Sequence, residues 1–306
     1  MLDTTKPLSR QRRGRSGKAE QLTDRDIEVL QLLSRYKYLP ADFLAAWVSA
    51  PIRAYSKRLL KLHRAGYIKR PPQQWNYANC HYRFTIYELD EKGKDLLDRE
   101  DLRLKPVAIY KHVLTEFAHN VLLCEVLFSL EFGARAKGFL FQTHLDVLKL
   151  PAKIAHTIEG KEHSSEDPLC WDGLFSITYP KAVTGKEDVT LYMMLEVDCG
   201  TEPIERTNLT QSSHLKKALQ YKHVLDTGSY ASVVPNFWIG VVTSSPQRAD
   251  RIRKLYADNG LAFSVFKSHP VLYRSDRVRS KTEEPVPDGN MLLKPWLRAN
   301  GAAFQM

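Results

Sequence analysis

The chain has 306 residues, too many for one small core, so two domains are the natural expectation. Hydrophobic residues at 43% and aromatics at 10% describe a globular protein, and no apolar run approaches the roughly 20 residues of a bilayer span. The net charge of +10, from 45 basic and 35 acidic residues, makes a polyanionic partner plausible, while the lack of a bilayer-length run leaves a membrane partner unexpected.

The N-terminal stretch, residues 1–21, holds six basic and two acidic residues and almost nothing apolar. It lacks the apolar region of a secretory signal and reads as a flexible basic arm. Cysteines at 80, 124, 170 and 199 form neither a CxxC nor a zinc spacing. Reduced thiols in a cytoplasmic protein are the plain reading.

A first helix is expected from Thr23. Asp26, three residues on, suits a capping box, and Ile27, Leu30 and Leu33 recur at helical spacing. A short second helix follows Pro40, with Phe43, Leu44 and Trp47. A third begins near Pro51 and stops near Gly66. On that helix Ile52, Tyr55, Leu59 and Leu62 share one face, while Arg53, Lys57, Lys61 and Arg64 line another.

Between Phe43 and Tyr87 there is no acidic residue, yet the window holds Arg53, Lys57, Arg58, Lys61, Arg64, Lys69, Arg70 and Arg83. Surfaces usually mix their charges, so this asymmetry points to double-stranded DNA. "GYIKR" and "YRFTIYEL" read as two strands around the polar loop "PPQQWNYANCH", closed by the helix "DEKGKDLLDRE". Three short helices and a two-stranded wing describe a winged helix-turn-helix over residues 22–100, with helix three in a major groove and the wing on phosphates. The competing reading is a core helix with a solvated basic face.

A junction is expected at 101–106 and a second domain over 106–270. It opens with the long helical stretch "VAIYKHVLTEFAHNVLLCEVLFSLEFGARA" and continues with strands at "GFLFQT" and "HLDVLKL". A polar loop then leads to strands at "CWDGLFSITYP" and "EDVTLYMMLEVD", separated by the turn-rich "KAVTGKED". A helix over "PIERTNLTQSSHLKKALQYKHVL" is followed by the strand "NFWIGVVTSS", the helix "PQRADRIRKLYADNG" and the strand "LAFSVF". This order suggests an α/β core with a mixed sheet, α+β for the chain as a whole. Residues 271–306 read as a loosely ordered tail whose apolar patch around Trp296 suits a protein partner.

The strand "LYMMLEVD" ends in two carboxylates. A hairpin centred on Thr184–Gly185 sets Asp172 opposite Glu196, with Asp198 on the same face. Opposed like charges destabilise a sheet unless a cation lies between them. Mg²⁺ or Mn²⁺ fits carboxylate oxygens, and could activate water against a phosphodiester. Lys217 and Tyr221 share one helix face, where they could neutralise and orient the scissile phosphate. Taken singly, each of these residues has a plain structural reading: a solvated strand end, a surface lysine.

On these residues the second domain resembles the PD-(D/E)XK nuclease superfamily. "CWDG" stands at the first Asp of that motif, with Trp171 in place of Pro, and "LEVD" stands at the (D/E)XK element, with Asp198 in the Lys position. The resemblance implies that Lys217, or its neighbour Lys216, supplies the lysine from the following helix. "KALQY" is similar to the helix motif of the RecB-like branch, with Lys217 in place of Gln. It also implies a further acid from an upstream helix, Glu125 first and Glu116 second. The whole chain resembles the replication-relaxation family of plasmid and phage proteins over roughly residues 22–257, through "LTDRDIEVLQLLSRYKYLPADFLAAW", "RLLKLHRAGYIKR", "YELDEKGKDLL", "HNVLLCEVLFSL", "WDGLFSI", "LEVDCGTEP" and "GVVTSSPQRADRIRKLY". That implies DNA binding tied to replication or mobilisation of a mobile element, near nucleoid or plasmid, with a replication or mobilisation protein as a further partner. A homodimer is attractive because winged-helix proteins often read paired half-sites.

The sequence has no GxxxxGK[ST], no His-x-His pair and no GxSxG, which disfavours a P-loop ATPase, a histidine-pair relaxase and a hydrolase triad. Two functions remain: a metal-dependent endonuclease or nickase, and a non-catalytic DNA-binding accessory or regulator with a degenerate nuclease-like domain.

Overall fold

The computed structural model describes residues 21–76, 84–107, 117–143, 146, 157–158, 165–166, 169, 171–269 and 289–306. The chain is mixed α/β and divides into two compact units, residues 1–125 with 273–288 and residues 126–272 with 289–306.

In the first unit, α1 (Asp24–Arg35) starts as expected: the Asp26 carboxylate accepts the Thr23 N–H at 2.7 Å. The two-residue strand β1 (Leu39–Pro40) leads into α2 (Ala41–Trp47), and α3 (Ile52–Ala65) follows, with Gly66 as its stop. Then come β2 (Ile68–Lys69), a single turn α4 (Gln73–Asn76), β3 (Ile86–Leu89) and α5 (Glu91–Arg99). The strands form an antiparallel sheet in the order β1-β3-β2. Strands β2 and β3 therefore pair as expected, and β1 joins as a third. The stretch expected to be all loop contains α4, whose Gln74 side chain is buried and exchanges hydrogen bonds with the Ile86 backbone at 3.0 Å.

Residues 101–106, the expected junction, carry no helix or strand. Helix α6 (Phe117–Lys137) runs through the boundary between the units at 125/126. This helix is also long and apolar enough to cross a bilayer, contrary to the reading of the sequence. Most of it is buried in the protein, and that burial accounts for its apolar character.

The second unit is built on β4 (Leu140–Thr143), β7 (Gly173–Tyr179), β8 (Val189–Asp198), β9 (Trp238–Thr243), β10 (Ser264–Ser268), β11 (Trp296–Arg298) and β12 (Ala303–Phe304). A separate ribbon pairs β5 (Thr157–Ile158) with β6 (Ser165–Glu166), inside a stretch expected to be loop. The seven-stranded sheet has the order β12-β11-β10-β9-β8-β7-β4. Its centre, β8-β9-β10, is parallel, and every other pairing is antiparallel.

A short helix, α7 (Lys181–Thr184), stands in the hairpin where only a turn is expected, while α8 (His214–Thr227) and α9 (Pro246–Asp258) belong to the expected scheme. Gly185 ends α7 at φ 77°, a conformation that glycine adopts without steric cost. Helix α8 begins eleven residues later than expected. Ser213 caps it by accepting the Lys216 N–H at 3.1 Å, and the polar stretch before it has no helical periodicity to bury. Tyr221, Val224, Ile239, Val241, Ile252, Tyr256 and Phe266 share one core.

The tail is a correction. From Gly289 onward it forms α10 (Asn290–Leu293) and the last two strands. Trp296 is fully buried, donates its Nε1–H to the Met291 carbonyl at 2.7 Å, and so packs into its own unit instead of offering an anchor to a partner. Gly289 and Gly133 meet backbone to backbone; a Cβ on Gly289 would lie 2.6 Å from the Gly133 Cα.

Candidate functional site

The β7–β8 ladder runs from Tyr179↔Val189 to Gly173↔Leu195, the register expected from the turn. One step further, the Asp172 N–H donates to the Leu195 carbonyl at 3.0 Å, and the Asp172 carboxylate accepts the Val197 N–H at 2.8 Å. The ladder thus ends with a side chain in place of a backbone carbonyl. This holds the Asp172 charge where it acts on Glu196.

Glu196 is 1% exposed. Such burial is tolerable only because both oxygens are partnered. The Lys217 ammonium lies 2.8 Å from Oε2, and the Tyr221 hydroxyl donates to Oε1 at 2.6 Å. Burial pushes the Glu196 carboxyl above its ordinary range; Lys217 opposes that and the Asp172 charge adds to it. Helix α8 delivers both partners, because residues 217 and 221 stand one turn apart on the face turned to β8. Burial works against the Lys217 charge, but Glu196, Asp172 and Glu202 outweigh it and raise the ammonium well above its usual value. Burial, with the Glu196 charge beside it, raises Tyr221, so its hydroxyl stays protonated and acts as a donor.

Asp198 lies on the same face as Glu196 but does different work. It accepts from the Thr243 hydroxyl at 2.7 Å, from the Gly200 N–H at 2.8 Å, and from Arg248 through Nη2 at 3.1 Å and through Nε. His214 Nε2 stands 3.6 Å away. Burial would raise the Asp198 carboxyl, yet these donors hold it well below the carboxylate range. Expected beside Glu196 on a shared ion, Asp198 is instead the anchor of Arg248, a guanidinium that also donates to the Glu202 carbonyl.

Of the other expected residues, Lys217 rather than Lys216 is the lysine that reaches Glu196. Glu125 is buried on α6, at the end of the first unit. Glu116 lies outside the described residues. Glu202, Arg248, His214 and Thr243 were not foreseen. Glu202 follows the strand within "LEVDCGTEP", and Arg248 occupies the first turn of α9 after its cap Ser245. No spacing rule links either to Glu196.

Among the described residues no group of three or more His, Cys, Asp and Glu side chains is arranged to hold a metal ion.

In the first unit, Arg53, Lys57, Lys61 and Arg64 are all exposed on α3, opposite the buried Tyr55, Leu59 and Leu62. None of the four is ion-paired with a described residue. The remaining basic positions separate from this stripe. Arg58 reaches the buried Asp26 at 2.6 Å, Lys69 lies 3.7 Å from Glu88, and Arg70 donates to the Tyr87 hydroxyl at 3.1 Å. Arg83 lies outside the described residues.

Comparison with known protein families, with curated proteins and with solved structures returned no match for this chain.

Proposed function

We propose that this chain is a DNA-binding protein of the replication-relaxation type, serving replication or mobilisation of a plasmid or phage, and that its second unit cuts or nicks DNA with a divalent metal ion. The observation that carries the reading is the contact of Lys217 with Glu196, beside Asp172, at the end of the hairpin. An acid pair, a lysine and an orienting tyrosine converge there from three separate stretches of chain. Such convergence is what phosphodiester hydrolysis asks of a nuclease-like fold.

In this reading Asp172 and Glu196 would hold Mg²⁺ or Mn²⁺, which when bound supplies an activated water and offsets charge on the phosphate. Lys217 presents its ammonium to the scissile phosphate. Tyr221 fixes the Glu196 carboxylate through Oε1. The first unit is read as a winged helix: three helices with the sheet order β1-β3-β2, and a four-cation stripe on α3 free to meet phosphates.

A second reading is favoured by one observation. Both Glu196 oxygens are engaged within the protein, and Asp198 is committed to Arg248. A nuclease-like unit locked in this way would serve as an accessory or regulatory DNA-binding protein. Supercoiled plasmid incubated with Mg²⁺ or Mn²⁺ separates the two. The nuclease reading expects nicked or linear product that is lost in Asp172→Ala and Glu196→Ala. Salt-sensitive binding without product under either metal selects the accessory reading.

A further inference from the structure

Lys217 has two carboxylate partners. Besides Glu196 Oε2 at 2.8 Å, its Nζ lies 3.1 Å from Glu202 Oε2. Glu202 comes from the loop after β8 and is itself held. Ser212 donates to Glu202 Oε1, the buried His214 ring stands 3.9 Å from Oε2, and Arg248 donates to the Glu202 backbone carbonyl. A solvated loop glutamate would keep its rotamer freedom; this one is held at Oε1 by Ser212 and at Oε2 by Lys217, with 17% of its side chain exposed.

We propose that Glu202 is a positioning residue for Lys217, holding the ammonium beside Glu196 while Ser212 holds the Glu202 carboxylate and Arg248 its backbone. The inference rests on Lys217 being the cation of the proposed nuclease site. It adds a second anchor, so that the lysine stays in place when Glu196 engages another cation. Burial would raise the Glu202 carboxyl, but Lys217, Ser212 and His214 bring it below its ordinary range, in keeping with an ionised anchor.

The test is lysine acylation at one fixed pH on the full chain, read residue by residue by mass spectrometry. Lys222 and Lys254, 48% and 66% exposed, serve as references in the same sample. Glu202→Gln is expected to speed Lys217 acylation by about tenfold, the size set by losing one hydrogen bond to a charged group, with the reference lysines unchanged. Glu202→Asp, which keeps the charge, is expected to stay closer to the wild-type rate. If Glu202→Gln lowers the melting temperature, Ser212→Ala replaces it and is expected to raise the Lys217 rate in the same direction. An unchanged Lys217 rate in the folded variant, or equal rates in the Asp and Gln variants, overturns the proposal. Labelling needs no cleavage. A wild-type protein that cuts no DNA but protects Lys217 through Glu202 sinks the nuclease reading and keeps the anchor.

Discussion

The Lys217 ammonium lies 2.8 Å from a carboxylate, Glu196, that is 1% exposed, while Lys217 itself keeps 19% of its side chain in contact with solvent. The pair thus joins the buried end of β8 to the surface of the second unit. A buried ion pair adds little net stability, but removing one partner leaves the other charge stranded.

Lys217→Met is therefore expected to lower the unfolding free energy by about 3 kcal/mol. The double variant with Glu196→Gln is expected to recover part of that loss, because the buried Glu196 charge is gone while Glu202 still lacks its cation. A double-mutant cycle in urea measures the coupling. Strictly additive losses would show that the two side chains do not depend on each other.

Asp26 and Arg58 make a second test, on the first unit. The Asp26 side chain is wholly buried, accepts from Arg58 Nη2 at 2.6 Å and also closes the α1 cap. Arg58→Ala is expected to cost about 3 kcal/mol, whereas Lys57→Ala, on the exposed stripe, stays within about 0.5 kcal/mol. Equal stabilities for the two variants would remove Arg58 from this structural role and return it to the candidate DNA contacts.

The stripe itself is read by salt. If Arg53, Lys57, Lys61 and Arg64 each neutralise a phosphate, the quadruple alanine variant reduces the slope of log K against log salt by about 3 to 4. Fluorescence anisotropy with a labelled duplex over a range of NaCl concentrations measures it. A slope equal to wild type would take α3 out of the interface.

His269 gives the pH test. It is 7% exposed, and burial pushes its imidazole down to about 4 from the ordinary 6.5. Between those values the unfolded chain binds a proton that the folded chain refuses. Stability is thus fully present above pH 6.5 and lost as the pH falls toward 4, by about 3 kcal/mol at pH 4. Urea unfolding at pH 7 and pH 4 in wild type and His269→Leu is expected to show a smaller acid loss in the variant. An identical loss would mean that His269 titrates freely in the folded protein.

What the sequence made legible follows from how local each signal is. The β7–β8 register was readable because strand length and a Thr184–Gly185 turn determine it together, and a slip of one residue would turn every side chain to the wrong face. The partnership of Lys217 and Tyr221 was readable from helical spacing. Glu202 and Arg248 were not, since a loop and a third helix bring them in and no periodicity relates them to β8. The sequence points Asp198 toward a metal because a strand-end acid looks the same whether an ion or an arginine awaits it. The last two strands were missed because β11 and β12 span only three and two residues, too few for alternation to register. The start of α8 was misjudged for a related reason: a polar run ahead of a capping serine carries no pattern of its own.

The most direct test of the whole account is a Mn²⁺ titration of the intact protein, with free ion followed by electron paramagnetic resonance. If Asp172 and Glu196 form the divalent site, wild type depletes the free-ion signal, and folded Asp172→Ala and Glu196→Ala lose that depletion while Asp198→Asn keeps it. No depletion by wild type, or depletion undiminished in both alanine variants, contradicts the account.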